Sequence, residues 1–163
     1  MTNEEIFAKT TINSWKLAVG RLDHMFSSLS DEELQAEVAP GRSRVLYLLG
    51  HLTAVHDRML PLLGFGERLH PELDEAFISK PDGEPADRAP AGDLRRAWSE
   101  VNERLMAAFV ALPPAEWLQR HEAISAEDFA REPLRNRLAV LQNRTAHAEN
   151  HAGQITLALQ RRS

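Results

Sequence analysis

The 163-residue sequence contains no cysteine. Disulfide staples, thiolate metal ligands and a cysteine nucleophile are therefore excluded. The same absence fits a reducing, cytoplasmic setting. Positive charge is outweighed: 19 Lys and Arg stand against 24 Asp and Glu, the formal net charge is −5, and basic clusters are no longer than a pair such as the terminal Arg161-Arg162. Nucleic-acid binders usually carry a basic face, so nucleic acid is not an expected partner. The pair is read instead as solvating a helix terminus and suiting its dipole. Long apolar runs are missing as well. Runs such as Val45 to Gly50 are far too short to span a bilayer, so no membrane partner is expected. The first residues, Met1-Thr-Asn-Glu-Glu-Ile6, are too acidic and polar for a secretory signal. No stretch alternates apolar and polar residues convincingly, no internal repeat is visible, and no tract has low complexity. The expectation is a soluble, cytoplasmic protein without a β-sheet, one domain over residues 1–163.

What the sequence does contain is helical periodicity. A first helix is expected from about Asn3 to Leu29, opened by a Thr2/Glu5 capping box. Its seam is Ile12, Trp15, Val19, Leu22, Phe26 and Leu29, spaced alternately three and four apart. Ser30 and Glu33 form a second capping box before the break at Pro40-Gly41. A second helix is expected from about Arg42 to Leu63, with Leu48, Leu52, Val55, Met59 and Leu62 as seam and Gly64 as stop. A third runs from about Gly92 to Leu112, with Leu94, Trp98, Val101, Leu105, Ala108 and Leu112, and ends at Pro113-Pro114. A fourth runs from about Pro133 to Gln160 through Leu134, Leu138, Leu141, Thr145, Ala148, Ala152, Ile155 and Leu159. Four such helices make an all-α four-helix bundle. The connection 64–91 holds four prolines and is long for a compact domain. Spanning the length of a bundle, it would be a crossover between helices two and three and would set the order up-down-down-up.

Three histidines stand out against this frame. His147 and His151 are four apart, so their rings share one helix face a turn apart. His51 lies on the second helix. At 100° per residue, His51, His151 and His147 fall about 75°, 80° and 120° from their seam centres, on the flanks rather than facing solvent squarely. In the up-down-down-up order, His51 and His151 are each roughly 13 Å from the same end of the bundle. Three imidazoles meeting in a groove between helices would leave a fourth position open on one divalent ion, as catalytic zinc sites do.

Other motifs fit poorly. Glu149, between the histidines, does not directly follow the first as a zinc-protease glutamate must. Di-iron bundles need two Glu-x-x-His motifs, and only Glu67 to His70 matches, in the crossover. Gly64-Phe-Gly66 lacks the lysine of a phosphate loop. His24, His56, His70 and His121 are read as structural or solvated, with His56 about 140° around the wheel from His51.

The stretch Leu46 to Leu60, with His51 in a Leu-Gly-His-Leu core, resembles the second-helix motif of the DinB-like (DinB/YfiT) superfamily. Ala146 to Ile155 resembles its closing His-x-x-x-His-x-x-Gln-Ile motif on His147, His151 and Gln154. Ser30 to Leu34 and Gly64 to Gly66 look like its connecting segments. The superfamily is distinct from the DNA polymerase that shares the name. The resemblance implies an up-down-down-up four-helix bundle and three histidines on one divalent metal, zinc or nickel. It also implies homodimers and, in characterised relatives, reactions that use low-molecular-weight thiols such as mycothiol or bacillithiol.

The expected function is a divalent-metal-dependent enzyme acting on a small molecule, a thiol S-transferase in the first instance, with the metal holding an exogenous thiol as thiolate. Metal-dependent hydrolysis of the substrate is an alternative. A non-enzymatic, stress-related metal or ligand binder is another, and a plain helical interaction module a third. Tyr47 and Arg58 beside His51, and Arg144 beside His147, are candidate holders of an anionic substrate. Asn143 and Gln154 are candidates for orienting an imidazole. Exposed Ile6 and Leu17 on the first helix could face a partner.

Overall fold

Thr2 and Glu5 start the first helix as a reciprocal pair. The Glu5 amide donates to Thr2 Oγ1 at 3.2 Å and the Thr2 amide to Glu5 Oε2 at 2.7 Å. The structure is a computed structural model and describes residues 1–161. It is all-helical, with no β-strand among the described residues and two isolated antiparallel bridges. The α-helices are α1 (Asn3–Ser28), α2 (Val45–Asp57), α3 (Met59–Leu62), α4 (Ala91–Ala111), α5 (Ala126–Arg131) and α6 (Arg137–Gln160). Short 3-10 turns lie at Glu33–Gln35, Ala86–Arg88 and Pro114–Leu118, and a π turn at Glu75–Ser79. None of the helices is long and apolar enough to cross a membrane among the described residues.

Two expected boundaries move, each for a local reason. The second helix does not run unbroken to Leu63 but stops at Asp57 and resumes as α3. Pro61 has no N–H, and its ring would press on the carbonyl four residues back, that of Asp57. The same helix begins at Val45 rather than Arg42, because the preceding residues are engaged in the Glu37–Arg44 bridge. The last helix begins at Arg137 rather than Pro133. Asn136 caps it, its Oδ1 accepting from the Ala139 amide at 2.9 Å. Residue 136 also bridges to Arg120. Leu134, expected in the seam, consequently lies outside the helix and is 82 % exposed. Arg162 of the terminal basic pair lies outside the described residues. Arg161 donates to the backbone carbonyls of Glu37 and Val38.

The core falls into two clusters. One gathers Leu22 and Phe26 of α1, Leu46, Leu48, Leu49 and Leu52 of α2, Phe77 of the π turn, Leu94 and Trp98 of α4, and Ala148, Ala152 and Ile155 of α6. The other gathers Trp15, Met59, Leu60, Leu63, Val101, Leu105, Phe109, Trp117 and Leu141. Edge-on ring pairs knit both, Phe26 to Trp98 at 5.2 Å and Phe109 to Trp117 at 5.4 Å. Helix α1 packs chiefly on α6, and α2 chiefly on α4. Within α2 every residue is buried except Tyr47 and His51. A helix enclosed nearly all round reads as apolar nearly all round, and its one open strip carries the histidine.

The connection from α3 to α4 is held by charge. Buried Asp57 accepts from the amides of Leu69 and His70 at 2.8 and 3.0 Å and from Arg68 Nε at 2.9 Å. Arg44 pairs with Asp82 and Asp87. Phe77 then sinks into the first cluster against Gly50, where any Cβ would come within 2.4 Å of its ring.

Candidate metal centre

The open strip of α2 meets α6 at the histidines. His147 Nε2 lies 3.4 Å from His51 Nε2 and 3.1 Å from His151 Nε2. The ligand atoms of all three rings lie within 4.8 Å of one another. With metal–nitrogen bonds of about 2.0–2.1 Å, two nitrogens on a tetrahedral ion stand about 3.3 Å apart, and at a right angle about 3.0 Å. The two separations match these spacings, so the group could hold a metal ion.

The opposite edges of the rings say which nitrogen faces inward. His51 Nδ1 is 2.8 Å from the carbonyl oxygen of Phe77, which can only accept. That proton belongs to Nδ1, and the Nε2 lone pair points to the centre. His151 Nδ1 is likewise 2.9 Å from Gln154 Oε1. Two of the three rings are thus held in orientation from behind, and the Phe77 carbonyl also sets the tautomer of His51. Nδ1 of His147 is buried and has no hydrogen-bond partner. Burial, then the neighbouring His151, His51 and Arg144, push His147 down to about 4. Burial also lowers His151, partly offset by its bond to Gln154. Both shifts favour the neutral ring, the state that binds metal.

The other expected site residues divide. Tyr47 lies against His51, rings nearly parallel with centroids 6.1 Å apart, but its hydroxyl donates to the Lys80 carbonyl at 2.7 Å and is not free for a ligand. Arg58 is held by Asp74, with Nη2 to Oδ2 at 2.7 Å. Arg144 sits one turn before His147 and is partly buried, its Nε shielded and without a partner. Asn143 is exposed and turns no side-chain hydrogen bond to a ring. Glu149 pairs with Arg21 of α1.

His56 belongs elsewhere. It is fully buried, with centroids 4.5 Å from Trp15 and 5.2 Å from Trp98, and Nδ1 2.9 Å from Asn102 Oδ1. His70 bridges Glu72 and Glu100 at 3.1 and 2.8 Å. Phe77 was not expected at the site. It contributes a backbone carbonyl, which no residue-type pattern signals, and the one trace of it is Gly50 beside His51.

The family model of the DinB superfamily matches residues 15–155, a span that includes all three histidines. No curated protein matches the chain.

Proposed function

The chain belongs to the DinB superfamily, and from that premise we propose that it is a divalent-metal-dependent enzyme, a transferase for a low-molecular-weight thiol, with zinc or nickel on His51, His147 and His151. The observation that carries this is the convergence of three Nε2 atoms at metal-ligand spacing, two of them with Nδ1 tied to an oxygen. When bound, the ion supplies Lewis acidity that keeps an exogenous thiol deprotonated near neutral pH. The protein's own groups hold and aim. Phe77 and Gln154 keep two rings from rotating, and the burial of α2 leaves His51 only one direction to face.

The up-down-down-up bundle is part of the same reading, with the 64–91 connection as crossover. It is supported by the membership of the core clusters. The end of α1, the start of α2, the start of α4 and the end of α6 share one cluster, and the opposite ends share the other.

Structural zinc sites close with four protein ligands. The group found among the described residues has three and no carboxylate, which favours an open position and hence a catalyst. Elemental analysis of the purified protein tests the reading first, followed by transfer assays with several thiols. Protein that neither carries nor takes up a divalent ion sinks it. A bound ion with ester or amide hydrolysis and no thiol requirement turns the reading to a hydrolase.

A further inference from the structure

Most partly buried arginines in this protein meet carboxylates, and Arg120, which does not, donates to the Ile124 carbonyl at 2.9 Å. Arg44 has Asp82 and Asp87, Arg68 has Asp57 and Asp74, Arg95 has Asp31, and Arg137 has Glu116 and Glu122. Arg144 is the exception near the histidines. It has no ion pair and no hydrogen-bonded acceptor among the described residues, and its Nε is shielded from solvent. The charge it feels is that of Arg58, another cation, already held by Asp74. A partly desolvated cation without a counter-charge is costly. A divalent ion one helical turn away would raise that cost. One oxyanion placed between the two would offset both, and a guanidinium offers it a planar, two-pronged grip.

We propose that Arg144 is a specificity-determining residue that seats a carboxylate of the bound small molecule beside the ion on His51, His147 and His151. The ion half of this rests on the reading above, while the arginine half does not. The carboxylate could come from the substrate or from the thiol, and the two sources can be separated.

Cobalt(II) is titrated into the metal-free, full-length protein and its visible bands are followed as sodium propionate or propionamide is added. Propionate should bind about tenfold tighter than the amide, the scale of a charge-assisted hydrogen bond. Arg144→Gln should take up cobalt at least as well and lose that preference, and Arg144→Lys should keep part of it. Comparing 3-mercaptopropionate with 3-mercaptopropanol then locates the source. A preference seen only with the thiol pair assigns the carboxylate to the thiol, and one already present with propionate assigns it to the substrate. A preference that survives Arg144→Gln overturns the proposal, as does its absence from the wild-type protein with both pairs. If cobalt does not bind at all, the metal reading fails by itself. Thermal unfolding of the metal-free protein then decides. Propionate raising the midpoint of wild type but not of Arg144→Gln keeps the seat, and equal response overturns it.

Discussion

His51 and His56 are five residues apart on one helix and have opposite surroundings. His51 lies on the open strip of α2 and turns a ring nitrogen toward two other imidazoles. His56 is enclosed by Trp15, Trp98 and Asn102, with no ion pair among the described residues. Both have Nδ1 bound to an oxygen, so hydrogen bonding alone does not separate ligand from core. What separates them is what Nε2 meets: another ring nitrogen in one case, no hydrogen-bond partner in the other. A histidine is read as a candidate ligand by the company of its second nitrogen.

The largest way to break that contrast is to remove one ring from each place. His147→Ala should cost more than about a hundredfold in zinc affinity, beyond what loss of an orienting partner costs, with little change in folding stability. His56→Ala should do the reverse, destabilising by about 2–4 kcal/mol through a cavity and an orphaned Asn102, while zinc is retained. Calorimetric titration and urea unfolding of both variants check this. Equal zinc loss in the two would erase the distinction.

Acid should find the buried histidine next. Burial, only partly offset by Asn102, pushes His56 down to about 3, against about 6.5 in an unfolded chain. Between those values the unfolded state binds the extra proton. Stability is therefore full above about pH 6.5 and falls as pH drops toward 3, on the order of 1 kcal/mol per pH unit for one such group. Urea midpoints at pH 4 to 7 should fall less steeply in His56→Gln. An unchanged slope would mean that the ring is not the neutral core group described.

Gly50→Ala probes the side of His51 away from the centre. The new methyl meets the Phe77 ring at 2.4 Å, so ring or helix must move, at about 1–3 kcal/mol. With Phe77 displaced its carbonyl leaves His51, and zinc affinity should drop about tenfold. Loss of stability without loss of affinity would show that the carbonyl does not orient the ring. The smallest expected effect is the contrast of Gln154→Ala with Asn143→Ala. The first should weaken zinc severalfold by freeing His151, and the second should leave it unchanged. Parallel titrations showing both variants equal to wild type would remove Gln154 from the site.

The sequence reveals much of this architecture because local rules govern it. Seam residues three and four apart mark the long helices, and the Thr2/Glu5 and Ser30/Glu33 boxes mark two starts. The one-face pairing of His147 and His151 follows from helix periodicity alone. What is hidden depends, with one local exception at Pro61, on residues distant in the chain. The break after Asp57 needs attention to Pro61 rather than to the continuing apolar pattern. Leu134 keeps the helical period, yet bridging of residue 136 to Arg120 takes its neighbourhood out of the helix. Arg58 looks free in sequence and is spent on Asp74, and no pattern links Arg44 to Asp82 across 38 positions.

The close approach of Phe77 to Gly50 also changes how the segment between α3 and α4 is to be regarded. Its length suggests a tether, which tolerates replacement by any spacer of equal reach. A tether does not place a carbonyl 2.8 Å from the ring of a candidate metal ligand. Energetic coupling between two parts of a protein is reciprocal, so whatever anchors this segment also orients His51, and whatever fixes His51 steadies the segment. A flexible graft of matching length would join the helices and still leave one ring of the trio free to turn.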